Sequence, residues 1–326
     1  MIFLPRRFSR QLIIVSVLLM FAGAGRLWYQ NIFGAPHRQA EAEQFVIPQT
    51  GEGDVAVRLQ TEGFIRSAWA FEYARGEKEI EPGGYRISKA MNAWEIGRIL
   101  TRPPASVWVI IREGLRKEEI AAILARKLGW STEEREKWVI DYTAMDYDHV
   151  EGVYFPDTYL IPTDETPFDT AERMRKNFEA KFAPLADEAL RQNIRWVTVV
   201  RIASLLEREA AGAHDMPLIA GVIWNRLLQN MRLQIDATLQ YARGDEGGGW
   251  WAPISPADKQ IDSPYNTYKH SGLPPHPIAN PGLAAMNAVL YPEETDCLFY
   301  LHDRLKRIHC AATYEGHLKN IEEYLR

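Results

Sequence analysis

The sequence predicts an α+β fold, because short β-type runs alternate with helical patterns in the first half and helices dominate the second half. The strand–turn–helix units are too short for the crossovers of a doubly wound parallel sheet. Of the 326 residues, 46% are hydrophobic and 25% charged, which is typical of a globular protein. A chain of this length favours two domains.

The N-terminal segment differs from the rest in charge and hydropathy. Residues 1–10 form a basic flank, residues 11–30 are mostly apolar, and residues 31–44 read as a polar tether. We interpret 11–30 as a transmembrane anchor, whose preceding arginines keep the N-terminus in the cytoplasm and the remainder outside it. A cleaved signal peptide with Ala22-Gly23-Ala24 at the cleavage site, or a buried core helix, are the alternative readings.

The net charge of the chain is −5, and it is unevenly distributed. Four arginines and no acidic residues lie in the first 26 positions, which leaves 34 basic and 43 acidic residues from position 27 onward. This acidic balance argues against nucleic acid as a partner.

Residues 45–144 are predicted to form a small α+β region. Strands are expected at 45–47, 85–87 and 107–111, and helices at 88–100 and 117–128. Asn92, with Glu95 three residues later, has the pattern of a helix N-cap. Residues 54–61 fit either a half-buried strand or a helix.

Residues 145–326 are predicted to form a larger mixed α+β domain. Its expected helices cover 169–182, 194–211, a segment capped by Asp215, and 282–290 after Asn280 and Pro281. Residues 297–301 and 308–313 resemble a hairpin. Cys297 and Cys310 face each other only if the hairpin turn centres near position 303.5, so a disulfide stays open.

Several classes of active site find no support in the sequence. It contains no HExxH or CxxC motif, no GxSxG elbow and no glycine-rich phosphate loop. The sequence gives more support for acid–base catalysis. Glu207 and Glu209 lie on the most apolar helix, about 200° apart around its axis. If apolar neighbours desolvate one of these carboxyls, its pKa is raised and it can act as a general acid. Alternatively, both carboxyls are ordinary surface groups. The pattern does not show which of the two glutamates would be the acid.

Two loops combine aromatic side chains with Asn, Asp and Thr. They cover residues 151–159 and 263–268. Such loops suit a sugar ring, which has apolar faces and equatorial hydroxyls, although aromatic packing beneath a loop explains them equally well.

Four motifs together resemble the YceG-like endolytic murein transglycosylases. They are ASLLEREA (203–210), GVIWNRLLQNMRLQIDATLQYA (221–242), SPYNTYKHSGLPPHPIANPG (263–282) and ATYEGHLKNI (312–321). The resemblance implies a single-span inner-membrane protein with a LysM-like region at 45–144 and an exported catalytic domain at 145–326. It also implies cleavage of nascent peptidoglycan strands with a 1,6-anhydro-muramic acid end, without metal or organic cofactor. Whether peptidoglycan synthases are partners stays open.

The same resemblance assigns residues of this chain. Glu209 matches the family's general acid and base, and Glu207 is the reserve. Substrate-binding positions are expected from the matched motifs and the loop at 151–159: Glu151, Asp157, Asn225, Gln234, Asp236, Thr238, Tyr265, Asn266 and Tyr268. Departures from the family pattern occur at Asn230, Ala237 and His276.

Two other functions remain as hypotheses. A hydrolytic muramidase would use the same helix, with Glu207, Asp236 or Asp157 as a second carboxylate. A non-catalytic scaffold would bind glycan without cleaving it.

Overall fold

A computed structural model describes residues 6–50, 53–143 and 151–325, with side chains from residue 14 onward. The boundary predicted between residues 144 and 145 lies outside these ranges, as does part of the basic flank. The helices are α1 (Arg6–Phe33), α2 (Val55–Thr61), α3 (Ala68–Arg75), α4 (Ala93–Leu100), α5 (Lys117–Leu128), α6 (Thr132–Lys137), α7 (Pro167–Arg191), α8 (Trp196–Glu209), α9 (Met216–Leu228), α10 (Asp236–Arg243), α11 (Leu283–Leu290) and α12 (Tyr314–Tyr324). The strands are β1 (Ala42–Ile47), β2 (Gly83–Ser88), β3 (Ser106–Ile110), β4 (Thr158–Pro162), β5 (Phe299–His302) and β6 (Ile308–Ala311). The predicted α+β class is confirmed.

Packing divides the chain into two units. The first comprises residues 1–108 and 160–164, and the second 109–159 and 165–326. Residues after 108 belong to the second unit because their backbone bonds to its loops: Asn280 N–H donates to Leu115 O at 2.8 Å, and Gly114 N–H donates to Asn280 O at 2.9 Å.

The chain has a four-stranded sheet in the order β1-β2-β3-β4, of which β1, β2 and parts of β3 and β4 belong to the first unit. Strands β1 and β2 are antiparallel, with Phe45 opposite Tyr85, and both side chains are buried. The helices cover this face with Leu59, Phe71 and Ile96. Alternation along the strands therefore supplies one face of the core and helical periodicity the other.

Two predicted features of the first unit, the ambiguous residues 54–61 and the Asn92 cap, belong to helices in the structure. Residues 54–61 are helical, and Asp54 Oδ1 accepts from Ala56 N–H at 2.9 Å as an N-cap. Asn92 and Glu95 form a complete capping box, so the predicted cap is confirmed. Strand β1 begins within the predicted tether, at Ala42, because its backbone pairs with Ser88. Helix α3 and strand β4 were not predicted.

Helix α1 carries the segment interpreted as a membrane anchor. Within the described part of the chain, no helix has both the length and the apolar character needed to cross a membrane. The predicted span over 11–30 is thus not found there.

In the second unit, helix α8 lies at the centre. It packs against α7, α9, α10 and α11, which bury Val199, Ile202 and Leu206. The hairpin β5–β6 and helix α12 pack on one another, and β5 also packs on α9. This arrangement brings the C-terminal end of α8 close to the hairpin.

Several predicted helix ends differ from the structure, including the start of α4 at Ala93 and the bounds of α8 at Trp196 and Glu209. Asp215 does not cap α9 with its side chain, which instead accepts from Ala211 N–H at 3.1 Å. The N-cap of α11 is Gly282, while the Asn280 side chain bonds elsewhere. Helix α7 continues beyond residue 182 to Arg191, since its apolar face remains buried past Pro184.

Cys297 and Cys310 form a disulfide, and the predicted hairpin is confirmed. The pairing of His302 with Ile308 centres the turn at position 305 instead of 303.5. Cys297 therefore precedes β5, and it reaches Cys310 with a Cα–Cα distance of 5.8 Å.

Candidate active site

Glu209, the last residue of α8, has a partly buried carboxyl group that contacts the hairpin. Its Oε2 accepts a hydrogen bond of 2.6 Å from the hydroxyl of Tyr300 on β5. Burial raises the pKa of Glu209, the nearby Asp236 carboxylate adds to that, and the Tyr300 bond opposes it. A carboxyl whose pKa is raised in this way retains its proton closer to neutral pH, as a general acid requires.

The Glu209 carboxyl lines a cavity of about 450 Å³. This volume lies within the range of small-molecule sites. Its walls come from α8, α9, α10, the loops at 233–234 and 268, strand β5 and α12. The lining residues are Glu209, Arg226, Leu233, Gln234, Asp236, Tyr268, Phe299, Tyr300, Leu301, Tyr314, His317, Ile321 and Leu325.

Three predicted substrate-binding residues line the same cavity. The Tyr268 hydroxyl donates to Asp236 Oδ1 at 2.5 Å, which fixes both side chains at the cavity. Gln234 adopts a φ of 51°, and its N–H donates to Thr267 O at 3.1 Å. The structure thus brings Gln234, Asp236 and Tyr268 to the same cavity as Glu209.

Aromatic rings from β5 and α12 line part of the Glu209 cavity. Phe299 stacks on His317 with ring centres 5.5 Å apart and lies 5.8 Å from Tyr314. The guanidinium of Arg226 lies 5.3 Å from the centre of the Phe299 ring. Burial lowers the pKa of both Arg226 and His317. The cavity therefore combines apolar faces with a few polar groups, as sugar sites do.

Glu207, the reserve candidate, contacts the N-terminus of α11. Its Oε1 accepts from the N–H of Gly282 at 2.9 Å, at the first turn of α11. Burial also raises the pKa of Glu207. A carboxylate at a helix N-terminus stabilises that helix, so the contacts of Glu207 are those of a bracing residue.

Three further predicted residues brace the loops around the cavity. The Asn225 amide donates to Thr295 O at 2.7 Å, and it lines a separate cavity of about 510 Å³. The buried Thr238 hydroxyl bonds to the Thr267 hydroxyl at 2.9 Å. The fully buried Asn266 amide donates to Ile261 O at 2.8 Å.

The remaining predicted residues lie outside the Glu209 cavity. Glu151 is buried, where it accepts from the Asn280 amide at 2.6 Å, and burial raises its pKa to about 8. Tyr265 packs on Tyr241, with ring centres 4.8 Å apart. Asp157 accepts from the Asn177 amide at 3.1 Å. The structure therefore does not bring these three side chains to the Glu209 cavity.

Tyr300, Arg226 and His317 were not among the predicted site residues. Arg226 and His317 lie inside two of the motifs quoted above, so their motifs were a usable signal. Tyr300 lies on a short strand, where nothing in the local pattern distinguishes it from a packing residue. Across the described ranges (6–50, 53–143 and 151–325), no group of three or more His, Cys, Asp or Glu is placed to hold a metal ion.

Comparison with known proteins decides the family. The sequence profile of the YceG-like family matches residues 45–323. The chain belongs to the YceG-like family. This match includes every residue of the Glu209 cavity except Leu325.

Relatives of this YceG-like chain carry a functional name. The endolytic murein transglycosylase of Bacillus subtilis is 29% identical over 296 residues, which cover 83% of this chain and 81% of that protein. An endolytic murein transglycosylase of Streptococcus pneumoniae is 25% identical over 96% of this chain. The aligned region spans 64% of the pneumococcal protein.

A solved structure has the same fold. The crystal structure of a YceG-like protein from Listeria monocytogenes superimposes with a TM-score of 0.62 at 28% identity. The match covers 86% of this chain and 98% of the Listeria chain.

Proposed function

We propose that this chain is an endolytic murein transglycosylase. It cleaves the MurNAc–GlcNAc bond within nascent glycan strands and leaves a 1,6-anhydro-MurNAc end. The observation that carries this proposal is the Glu209 carboxyl, which has a raised pKa and lines a sugar-sized cavity beside Tyr300. The relatives named endolytic murein transglycosylases support the same activity.

In the proposed reaction, Glu209 acts first as an acid and then as a base. Its carboxyl gives a proton to the glycosidic oxygen as the bond to C1 of MurNAc breaks. The resulting carboxylate takes the proton of the C6 hydroxyl, whose oxygen bonds to C1. Each proton that Glu209 donates is thus recovered, and water is not consumed. Holding the C6 hydroxyl near C1 supplies the entropic part of catalysis.

Tyr300 balances the two forms of Glu209. Its hydrogen bond is stronger to the carboxylate than to the carboxylic acid, so it stabilises the form that must accept the second proton. Burial favours the acid form that must donate the first. The opposing effects keep both forms accessible during one turnover.

Asp236 and Tyr268 are proposed to orient the substrate. Their mutual hydrogen bond leaves them preorganised in the wall of the cavity that Glu209 also lines. Groups fixed before the substrate binds cost little to reorganise when charge develops on the sugar ring. Gln234 completes this polar wall.

A hydrolytic muramidase is the second candidate function. The presence of the Asp236 carboxylate in the same cavity as Glu209 favours it, because hydrolysis normally needs two carboxyl groups. Mass spectrometry of digested glycan strands distinguishes the reactions. Anhydro-MurNAc ends support the transglycosylase, whereas reducing MurNAc ends would establish the muramidase.

The assignment of Glu209 is tested with a matched pair of variants on the same helix. Glu209→Gln is expected to lower strand cleavage about 10²–10⁴-fold, the usual contribution of a general acid–base group. Glu207→Gln is the control, because the glutamine oxygen can still accept from Gly282 N–H and activity should persist. Unchanged cleavage by Glu209→Gln, or inactivity of the wild type together with glycan binding, would overturn the assignment.

The location of the chain and its attachment to the membrane are also proposals. Murein lies outside the cytoplasm, and the Cys297–Cys310 disulfide suits that oxidising location. We propose that α1 attaches the chain to the membrane through its exposed apolar side chains, which include Leu18 and Phe21. Residues 45–144 are proposed as the LysM-like region that approaches the glycan. Cell fractionation with and without the first 30 residues tests the attachment.

A further inference from the structure

Five large aromatic side chains are exposed around the C-terminal end of α1 in the first unit. We call them the aromatic collar: Trp28, Tyr29, Trp69, Tyr73 and Trp94. Trp69 is 59% and Tyr73 62% exposed, although aromatic residues of this size are normally the most completely packed. Such a concentration of exposed apolar area marks an interaction surface.

Four rings of the collar, all except Trp28, have a fixed arrangement because they contact one buried side chain, Phe33; the Tyr29 ring stacks on it with ring centres 5.0 Å apart. Trp94 stacks on Phe33 with ring centres 5.9 Å apart, and Tyr73 meets it edge-on at 6.1 Å. Trp69 meets Phe33 edge-on at 5.9 Å and stacks on Tyr73 at 5.6 Å. The collar is therefore a rigid surface built from α1, α3 and α4.

A hydrogen bond joins the collar across two helices. Trp94 Nε1 donates to the Tyr29 hydroxyl at 3.0 Å. Ala70 and Ala93, which are small and buried, let α3 and α4 approach Phe33 closely. The end of α1 is thus locked to the helices of the first unit.

The occupant of this surface follows from its chemistry and its neighbours. The collar continues directly into the exposed apolar side chains of α1, from Ile14 to Phe21. Tryptophan and tyrosine have an apolar body and a polar tip, and they concentrate at the level of lipid headgroups. Arg26, two residues before Trp28, adds a cation that favours the same region.

We propose that the aromatic collar docks the first unit onto the lipid–water interface. This proposal rests on the membrane attachment by α1 that is proposed above, and it adds a second contact, made by α3 and α4. The first unit is then held against the membrane surface instead of swinging freely from a tether. Newly made glycan strands emerge at that surface, so the docking places the chain where its proposed substrate appears.

The test uses an environment-sensitive fluorophore on the full chain in vesicles of phosphatidylethanolamine and phosphatidylglycerol. Both native cysteines are in the disulfide, so an introduced cysteine is the only free thiol for labelling. Labels are placed at Leu18→Cys on α1, at Tyr73→Cys and separately at Trp69→Cys in the collar, and at Val57→Cys as control. Val57 is 53% exposed on α2 of the same unit and lies outside the collar.

Docking predicts a blue-shifted emission and quenching by spin-labelled lipid for Leu18→Cys and for both collar labels, but not for Val57→Cys. If Leu18→Cys is quenched while the collar labels behave like Val57→Cys, the attachment holds and the docking is wrong. If no label is quenched, the attachment itself fails and the docking with it. A blue shift of the collar labels that appears without vesicles and grows with protein concentration would instead identify a second copy of the chain as the occupant.

Discussion

Replacing Tyr300 with phenylalanine tests how the cavity controls the Glu209 proton. The substitution removes the hydroxyl that donates to Glu209 Oε2 at 2.6 Å and keeps the ring that packs in the cavity. Burial of Glu209, which raises its pKa, stays the same in this variant. The hydrogen bond from Tyr300, which lowers the pKa, is lost. We expect the carboxylic acid form of Glu209 to persist to higher pH.

The size of the effect follows from the strength of a hydrogen bond to a charged group. Such a bond stabilises the carboxylate by about 1.5–3 kcal/mol. Because about 1.4 kcal/mol corresponds to one pH unit, the loss should move the alkaline limb of activity upward by about one to two units. The direction is upward because activity needs the protonated acid, and Tyr300 stabilises its conjugate base.

The assay is the pH dependence of kcat/KM for release of anhydro-MurNAc ends from glycan strands. Tyr314→Phe is the matched control, since Tyr314 lines the same cavity and contacts Phe299. Its profile should keep the wild-type alkaline limb. A Tyr300→Phe limb that coincides with that of wild type, or moves to lower pH, would refute the proposed coupling.

Three further predictions concern stability. Folding raises the pKa of Glu151 from 4.5 to about 8, so the folded chain keeps a proton that the unfolded chain releases above pH 4.5. The free energy of unfolding should therefore fall by about 1.4 kcal/mol for each pH unit between these two values. Urea titrations should show that the free energy of unfolding of Glu151→Gln falls less steeply with pH. Replacing Cys297 and Cys310 with serine opens a loop of sequence separation 13 and should cost about 3 kcal/mol, and a reducing agent should destabilise the wild type but not this variant. Gly221→Ala would place a methyl group 2.4 Å from the carbonyl oxygen of Glu293, so we expect about 1–3 kcal/mol of destabilisation; an unchanged melting temperature would contradict that packing.

Much of the fold could be predicted wherever the signal is local. The α5 helix over residues 117–128 and the α4 capping box follow from periodicity and from side chains within one turn. Helix α3 and strand β4 were missed because they are short, and their stability comes from packing on other elements. The ambiguous residues 54–61 became helical because Asp54 caps them and Leu59 reaches the core of the first unit.

In the candidate site, too, some features follow from local sequence patterns and others depend on tertiary packing. Glu207 and Glu209 have equivalent positions on the margins of an apolar helix, so a helical wheel cannot distinguish them. In the folded chain one accepts from the first turn of α11, and the other faces the cavity and Tyr300. The amides of the predicted Asn225 and Asn266 donate to backbone carbonyl groups, because a buried or partly buried amide needs hydrogen-bond partners.

Local patterns in the sequence were sufficient for the α+β class, for the helix that carries two carboxyl groups, and for the motifs of the YceG-like proteins. Tertiary packing was needed to show which carboxyl lines the cavity, which residues share that cavity, and which aromatic rings stay exposed. These features depend on residues that are far apart along the chain. Tyr300 lies 91 residues after Glu209, and Trp94 lies 65 residues after Tyr29. Desolvation and hydrogen bonding between such distant residues arise only when the elements pack together.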